Sequence, residues 1–413
     1  MFAQRNRKIL FLAITSALLS ACGSSDDSSS SSDDHDHSDE YGQRLVMAEQ
    51  TSQDISVYDR DEASVSLVGQ AAATAGQLLK SDDGLSAALV TASGVQFISS
   101  GLDTEPETDP VFLDALTVTQ DDPQMVMTEN HFALLQDGVT EFYPAEDLTS
   151  ASGPEEDFTL VDITQTFPAL ILDEGESLYA AFYNNQVHLY SDGEILSSHT
   201  CTSPSAAMQN DELVLIQCDE ALRYVVVDED DSDVHTAYSG TTFTGETVSG
   251  WNSGGDYILL YSTDSNTVSM VYPHGNHTHS SDPGFSLEEG QNICAAALND
   301  EATAVIAVYD DATAEVLDLS DSGLDPASIS LSEVDSASFS CDDIQLAAGS
   351  SAFMITDNSG GHLYTVDSHD GGAWHLHGSA LALSSGIAIQ STVMLEADDD
   401  DEDDDDDDHD HDH

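Results

Sequence analysis

Leu178-Tyr179-Ala180-Ala181-Phe182, a short polar turn, then Val187-His188-Leu189-Tyr190: the reading of this stretch decides the fold. Two short apolar runs on either side of an Asn-rich turn read as an antiparallel β-hairpin. The same unit recurs along the chain. It is Leu45-Val46-Met47-Ala48 with Ile55-Ser56-Val57-Tyr58, then Ala87-Ala88-Leu89-Val90 with Val95-Gln96-Phe97-Ile98. It returns as Phe132-Ala133-Leu134-Leu135 with Val139-Thr140-Glu141-Phe142-Tyr143, and as Leu213-Val214-Leu215-Ile216 with Leu222-Arg223-Tyr224-Val225-Val226-Val227. Tyr257-Ile258-Leu259-Leu260 precedes Val268-Ser269-Met270-Val271-Tyr272, and Ala304-Val305-Ile306-Ala307-Val308 precedes Val316-Leu317-Asp318-Leu319. The last is Ala352-Phe353-Met354-Ile355 with His362-Leu363-Tyr364-Thr365-Val366.

Hairpins spaced roughly every 40–50 residues are the mark of a β-propeller, one four-stranded blade per repeat. No helical apolar period of useful length interrupts them. The chain is therefore expected to be all-β, a propeller of seven or eight blades. A β-sandwich array and a β-helix are the alternatives. One apolar run is left over, Gly386-Ile387-Ala388-Ile389-Gln390 with Val393-Met394-Leu395. It is expected to pair with the first blade, closing the ring and removing an exposed sheet edge.

Outside this region the composition changes. Arg5, Arg7 and Lys8 precede a short apolar run, Ile9 through Leu19, too short to span a bilayer. The run ends at Leu19-Ser20-Ala21-Cys22-Gly23, which resembles the lipobox of bacterial lipoproteins. Residues 1–21 are thus expected to be a lipoprotein signal peptide, with Cys22 the acylated first residue of the mature protein. Gly23 in place of Asp is compatible with the periplasmic side of the outer membrane. Residues 22–43 are a Ser/Asp/His tether and 396–413 an acidic, His-containing tail, both too polar to bury a core and expected to be disordered. The propeller is assigned to 44–395.

The charge is extreme. The chain of 413 residues carries 79 Asp+Glu against 7 Lys+Arg, a formal net charge of -72. Only Arg44, Arg60, Lys80 and Arg223 remain basic beyond the leader. Such a surface repels phosphate backbones, which excludes nucleic acid as a partner. It serves solubility or a salty habitat, and it attracts cations.

Four cysteines lie beyond Cys22: Cys201, Cys218, Cys294 and Cys341. An even number in an exported chain points to disulfides. Cys201 and Cys218 flank one strand-like segment and form the first candidate pair. Cys294 and Cys341 form the second, between adjacent blades. Thiolate zinc ligation is the alternative, without the Cys-x-x-Cys spacing that zinc sites favour.

Histidine is where chemistry concentrates. Asp33-Asp34-His35-Asp36-His37 lies in the tether and Asp408-His409-Asp410-His411-Asp412-His413 ends the chain. Imidazole nitrogen beside carboxylate oxygen suits Zn²⁺ better than Ca²⁺ or Mg²⁺, which prefer oxygen alone. Binding requires neutral imidazole and fades below about pH 6. Two further groups fall between strands: His274-Gly275-Asn276-His277-Thr278-His279, read as a polar loop, and His375-Leu376-His377, with His369 and Asp370 just upstream. An extended backbone puts His277 with His279, and His375 with His377, on one face, able to share an ion. A solvated polar surface is the competing reading for each group. His131, His188, His199, His235 and His362 are isolated and read as structural. No nucleophile elbow, phosphate loop, zincin helix or EF-hand loop is present, and no acid–base pair argues for an enzyme.

Taken together, the chain resembles the periplasmic zinc chaperones of the AztD type. The resemblance is clearest at Asp34-His35-Asp36-His37 leading to Arg44-Leu45-Val46-Met47-Ala48 and Ile55-Ser56-Val57-Tyr58-Asp59, and again from Cys201 to Cys218-Asp219-Glu220-Ala221-Leu222. It implies a β-propeller that passes zinc to the binding protein of an ABC importer, with Cys201–Cys218 a structural disulfide. The chain departs from the family in lacking His at Phe167-Pro168-Ala169-Leu170 and at Thr202-Ser203-Pro204-Ser205, and in its lipid anchor and acidic C-terminal His tail. The expectation is a monomeric, lipid-anchored, extracytoplasmic Zn²⁺-binding protein, not an enzyme, that buffers zinc or delivers it. The rival reading is an envelope propeller that binds protein partners, its tails serving only solubility. An enzyme of unknown substrate would need a concave central site with convergent polar groups.

Overall fold

The computed structural model describes residues 42–397, apart from 82, 103–106, 129, 147, 161–162, 174–177, 211–212, 219–220, 229–230, 237–247, 275–276, 321–325, 332–338, 369–372 and 384–387. The leader, Cys22, both His/Asp tails, and His369 with Asp370 lie outside the described residues.

Among the described residues the strands form eight antiparallel sheets, each built on a path of four hydrogen-bonded strands. They follow one another in chain order as the blades of an eight-bladed propeller. The hairpins legible in the sequence are the two middle strands of each blade. In blade 7, for example, Ala304–Tyr309 and Thr313–Asp318 lie between Ile293–Leu298 on the inside and Ala327–Ser330 on the outside. The second strand of each blade is the most continuously apolar because neighbouring blades cover both of its faces, whereas the third often alternates, as Asp54–Asp59 and Thr313–Asp318 do. Every residue of Ala304–Tyr309 and of Ala352–Asp357 is buried. Outer strands such as Glu194–Thr200 face solvent and are mostly polar. Near the axis the blades crowd together, and Cys294-Ala295-Ala296-Ala297 supplies small side chains there.

The leftover C-terminal run closes the ring as expected. Ile389–Glu396 pairs antiparallel with Gln43–Glu49, and blade 1 reads, from inside out, Ile389–Glu396, Gln43–Glu49, Asp54–Asp59, Ser64–Gln70. Glu396, left to the tail by composition alone, is the last residue of this strand and is 4% exposed. Its Oε2 accepts a hydrogen bond from Gln43 Nε2 at 2.9 Å, and its Oε1 accepts one from the Ser350 backbone N–H at 2.5 Å. A Cβ on Gly349 would come within 2.6 Å of Glu396 Oε2, so the backbone reaches the carboxylate only because that residue is glycine. Asp300 hydrogen-bonds Glu396 and is held in turn by Lys80 Nζ at 2.5 Å. Burial, and then the Asp300 carboxyl beside it, push the Glu396 pKa up to about 7.

Two disulfides tie neighbouring blades. Cys201 follows the outer strand of blade 4 and joins Cys218 in blade 5, Cα–Cα 5.2 Å. Cys294 on the inner strand of blade 7 joins Cys341 in the 3₁₀ turn leading into blade 8, Cα–Cα 4.6 Å. All four thiols are thereby consumed, which removes thiolate zinc ligation.

Candidate metal centre

Among the described residues, blade 8 brings together one carboxylate and two imidazoles that could hold a metal. Its third strand, His362–Asp367, pairs with the short outer strand His375–Leu376. The register places Asp367 opposite His375 and Val366 opposite Leu376. Paired residues of an antiparallel ladder share a face, so Asp367 and His375 point one way and Val366 and Leu376 the other. Val366 and Leu376 pack into the apolar cluster around Phe353 and Trp374. This anchors the strand and fixes which face the histidines take. The His377 backbone N–H bonds Thr365 O, which extends the ladder and returns His377 to the side of Asp367.

The resulting cluster is Asp367, His375 and His377, with one potential ligand atom from each lying within 4.8 Å of the others. His377 Nδ1 is 2.9 Å from Asp367 Oδ2, and His375 Nε2 is 3.8 Å from Asp367 Oδ1. Two donors on one tetrahedral zinc lie about 3.4 Å apart, from bond lengths near 2.1 Å. The two observed distances, each to a different oxygen of Asp367, lie on either side of that value. Asp367 is fully buried while the two imidazoles are about half exposed, 50% and 53%. The set is N₂O, open on its histidine side. Three donors leave a fourth position open, whereas closed structural zinc sites carry four protein ligands.

Asp367 was not singled out in the sequence, and neither was Arg60. Arg60 follows the strand Asp54–Asp59 of blade 1, and its Nη2 lies 2.6 Å from Asp367 Oδ2. Its Nη1 donates to Gln43 Oε1 at 2.6 Å and its backbone N–H to Gln43 O at 3.0 Å. The one available signal for Arg60 is rarity: it is among only four basic residues after the leader.

The second histidine group corrects the sequence reading. His274-Gly275-Asn276-His277-Thr278-His279 was expected to be a loop, yet His274 ends the strand Thr267–His274 and His277 begins His277–Ser281. The two are directly paired in the ladder, as are Tyr272 and His279. Gly275-Asn276 is the kind of two-residue spacer that a hairpin demands. Strand alternation puts His277 and His279 on one face, with Thr278 buried on the other. His277 Nε2 and His279 Nε2 are 3.1 Å apart, and the His274 ring lies 5.3 Å from His277 and 4.8 Å from His279, centroid to centroid. This is an all-nitrogen cluster on the exposed outer hairpin of blade 6. The structure thus gathers His375 with His377, and His274 with His277 and His279, in separate blades. Of the histidines read as structural, His188 stacks on Tyr183 at 3.8 Å and bonds Ser198 Oγ at 2.7 Å. Its burial lowers its pKa, as befits a neutral core imidazole.

The architecture has solved counterparts. Apo AztD from Citrobacter koseri superposes over 87% of this chain and 99% of its own, with a TM-score of 0.64 and 13% sequence identity. This chain has the fold of AztD. A crystal structure of Citrobacter koseri AztD gives a TM-score of 0.63 at 14% identity, with the same coverage. No protein-family model matches the chain, and no curated protein matches its sequence. At such identity the likeness to AztD concerns the path of the backbone. The histidine clusters in blades 6 and 8 are read from this chain's own residues alone.

Proposed function

We propose that this protein is an extracytoplasmic zinc carrier, a binding protein and not an enzyme. It takes Zn²⁺ onto imidazole and carboxylate ligands displayed on a propeller and passes it on by ligand exchange. The acceptor is the zinc-binding protein of an ABC importer. Cys22 anchors a monomer to the periplasmic side of the outer membrane. His35, His37, His409, His411 and His413 act as capture ligands, while blades 6 and 8 hold the ion through His274, His277 and His279 and through His375 and His377. The observation that carries this reading is the convergence of Asp367, His375 and His377, with one potential ligand atom of each within 4.8 Å of the others. The likeness in fold to AztD agrees with it. Buried carboxylate on one side and solvent on the other give a cation both a reason to stop and a way out.

The experiment is zinc stoichiometry and affinity by competition with a chromophoric chelator. The mature chain with Cys22 removed is compared with residues 42–397. The expected result is at least one ion retained by the shorter chain. Loss of all binding with the tails would reduce the protein to a tail-based buffer. Weak, salt-sensitive binding by both would end the metal reading. It would leave the rival, a protein-binding propeller, which the exposed Leu67, Ile195 and Leu196 on outer strands favour.

A further inference from the structure

Asp367 presents a physical problem to a protein that must exist both with and without its cargo. A fully buried carboxylate is expensive unless a positive partner offsets its lost hydration. A metal would supply that partner only while bound. In this structure the partner is Arg60, whose side chain is itself only 13% exposed. The guanidinium lies on Oδ2, the same oxygen that His377 approaches at 2.9 Å.

Arg60 is also held from behind. Gln43 grips it twice, through its side-chain amide oxygen and its backbone carbonyl. Gln43 is in turn fixed by Glu396 and by Ser351 Oγ at 3.1 Å. The guanidinium is therefore not a loose surface charge that swings away at no cost. An ion arriving at Asp367 meets a cation already sharing its carboxylate, pinned by the strands that close the ring.

We propose that Arg60 is a built-in competitor for the metal, one that weakens zinc binding at Asp367, His375 and His377 and hastens release. This deepens the carrier reading and rests on it. In the empty state Arg60 neutralises Asp367 and keeps blades 1 and 8 joined. In the loaded state it yields part of the carboxylate's charge to the ion, and its repulsion lowers the barrier to departure. The propeller then needs no refolding between the two states. Ordinary outer-shell partners do the reverse: they orient a ligand and strengthen binding, and their loss weakens metal affinity about 10–100-fold. The sign of the effect therefore separates the two roles.

The test uses the full mature chain with only Cys22 replaced, and Zn²⁺ itself as the probe. His375→Ala first identifies the share of binding that belongs to blade 8. Arg60→Gln removes the charge while keeping a hydrogen-bonding side chain between Asp367 and Gln43. The expected result is an affinity at that site on the order of tenfold higher, with a correspondingly slower zinc off-rate measured by chelator chase. Arg60→Lys, which retains the charge, is expected to stay within a few-fold of the parent and guards against a folding defect in the first variant. Unchanged or weaker binding in Arg60→Gln, with Arg60→Lys folded and binding, overturns the competitor role alone. If the parent's zinc binding does not respond to His375→Ala, the carrier reading for blade 8 falls, and this inference with it.

Discussion

Replacing Glu396 with Gln tests how the ring is fastened. The carboxyl ends the closing strand and sits at 4% exposure among Gln43, Ser350 and Asp300. Its pKa rises from 4.5 to about 7 because burial disfavours the charged form and Asp300 adds repulsion; Lys80 and the Ser350 N–H oppose this without reversing it. The folded protein thus holds a proton that the unfolded chain releases near pH 4.5. Between pH 4.5 and about 7 the unfolded state binds fewer protons, so stability falls as pH rises. At roughly 1.4 kcal/mol per pH unit, the whole interval is worth about 3 kcal/mol. Glutamine mimics the protonated carboxyl and does not titrate. The difference in unfolding free energy between Glu396→Gln and the parent should therefore shift by about 3 kcal/mol in favour of the variant between pH 4.5 and pH 7.5. Urea denaturation at pH 4.5, 6 and 7.5 measures it, and the many other carboxylates cancel in the difference. Parallel pH profiles for the two proteins would refute the reasoning.

Three further outcomes are expected. Asp367→Asn should abolish zinc retention by blade 8 and, by leaving Arg60 without its buried counter-charge, cost about 3 kcal/mol in urea unfolding. Cys201→Ser with Cys218→Ser should lower stability by about 3 kcal/mol, the entropy of opening a loop of this size; their sequence separation of 17 sets the expectation, and an unchanged denaturation midpoint would contradict it. Ending the chain before Ile389 should leave Gln43–Glu49 as an unpaired edge and shift the protein towards aggregates on size-exclusion chromatography relative to the parent.

The legibility of the fold follows from burial. The second strand of each blade is covered on both faces and reads as an apolar run such as Ala304–Tyr309, and a partly apolar third strand follows it after a short turn, which is why every hairpin is visible in the sequence. The outer strands carry no such demand. Glu194–Thr200 is polar and exposed, and Val111–Phe112 and Val118–Thr119 are two residues each, too short to show a period. At the candidate metal centre, His375 and His377 are readable because they stand two residues apart, His375 on the strand His375–Leu376 and His377 just beyond its end. Asp367 was not, because only the register of a neighbouring strand brings it there. Arg60 was further out of reach: it is 307 residues from Asp367, and nothing local records a contact made when the ring closes. The hairpin at His274 reads as a loop because its residues are polar, the exposed His277 alternating with a buried Thr278 rather than with an apolar residue.

The closing strand also dictates an order of events during folding. Gln43–Glu49 is among the first strands to be made, yet its innermost partner is the last, with Gln43 and Glu396 separated by 353 positions. Seven blades can form their hairpins locally as the chain emerges, but blade 1 must wait with one edge open until the final strand arrives. Contacts this distant in sequence form slowly, and an open edge invites other chains in the interval. A strongly repulsive net charge keeps identical chains apart during that wait. On this view the acidity of the sequence protects the unfinished ring at least as much as the finished one.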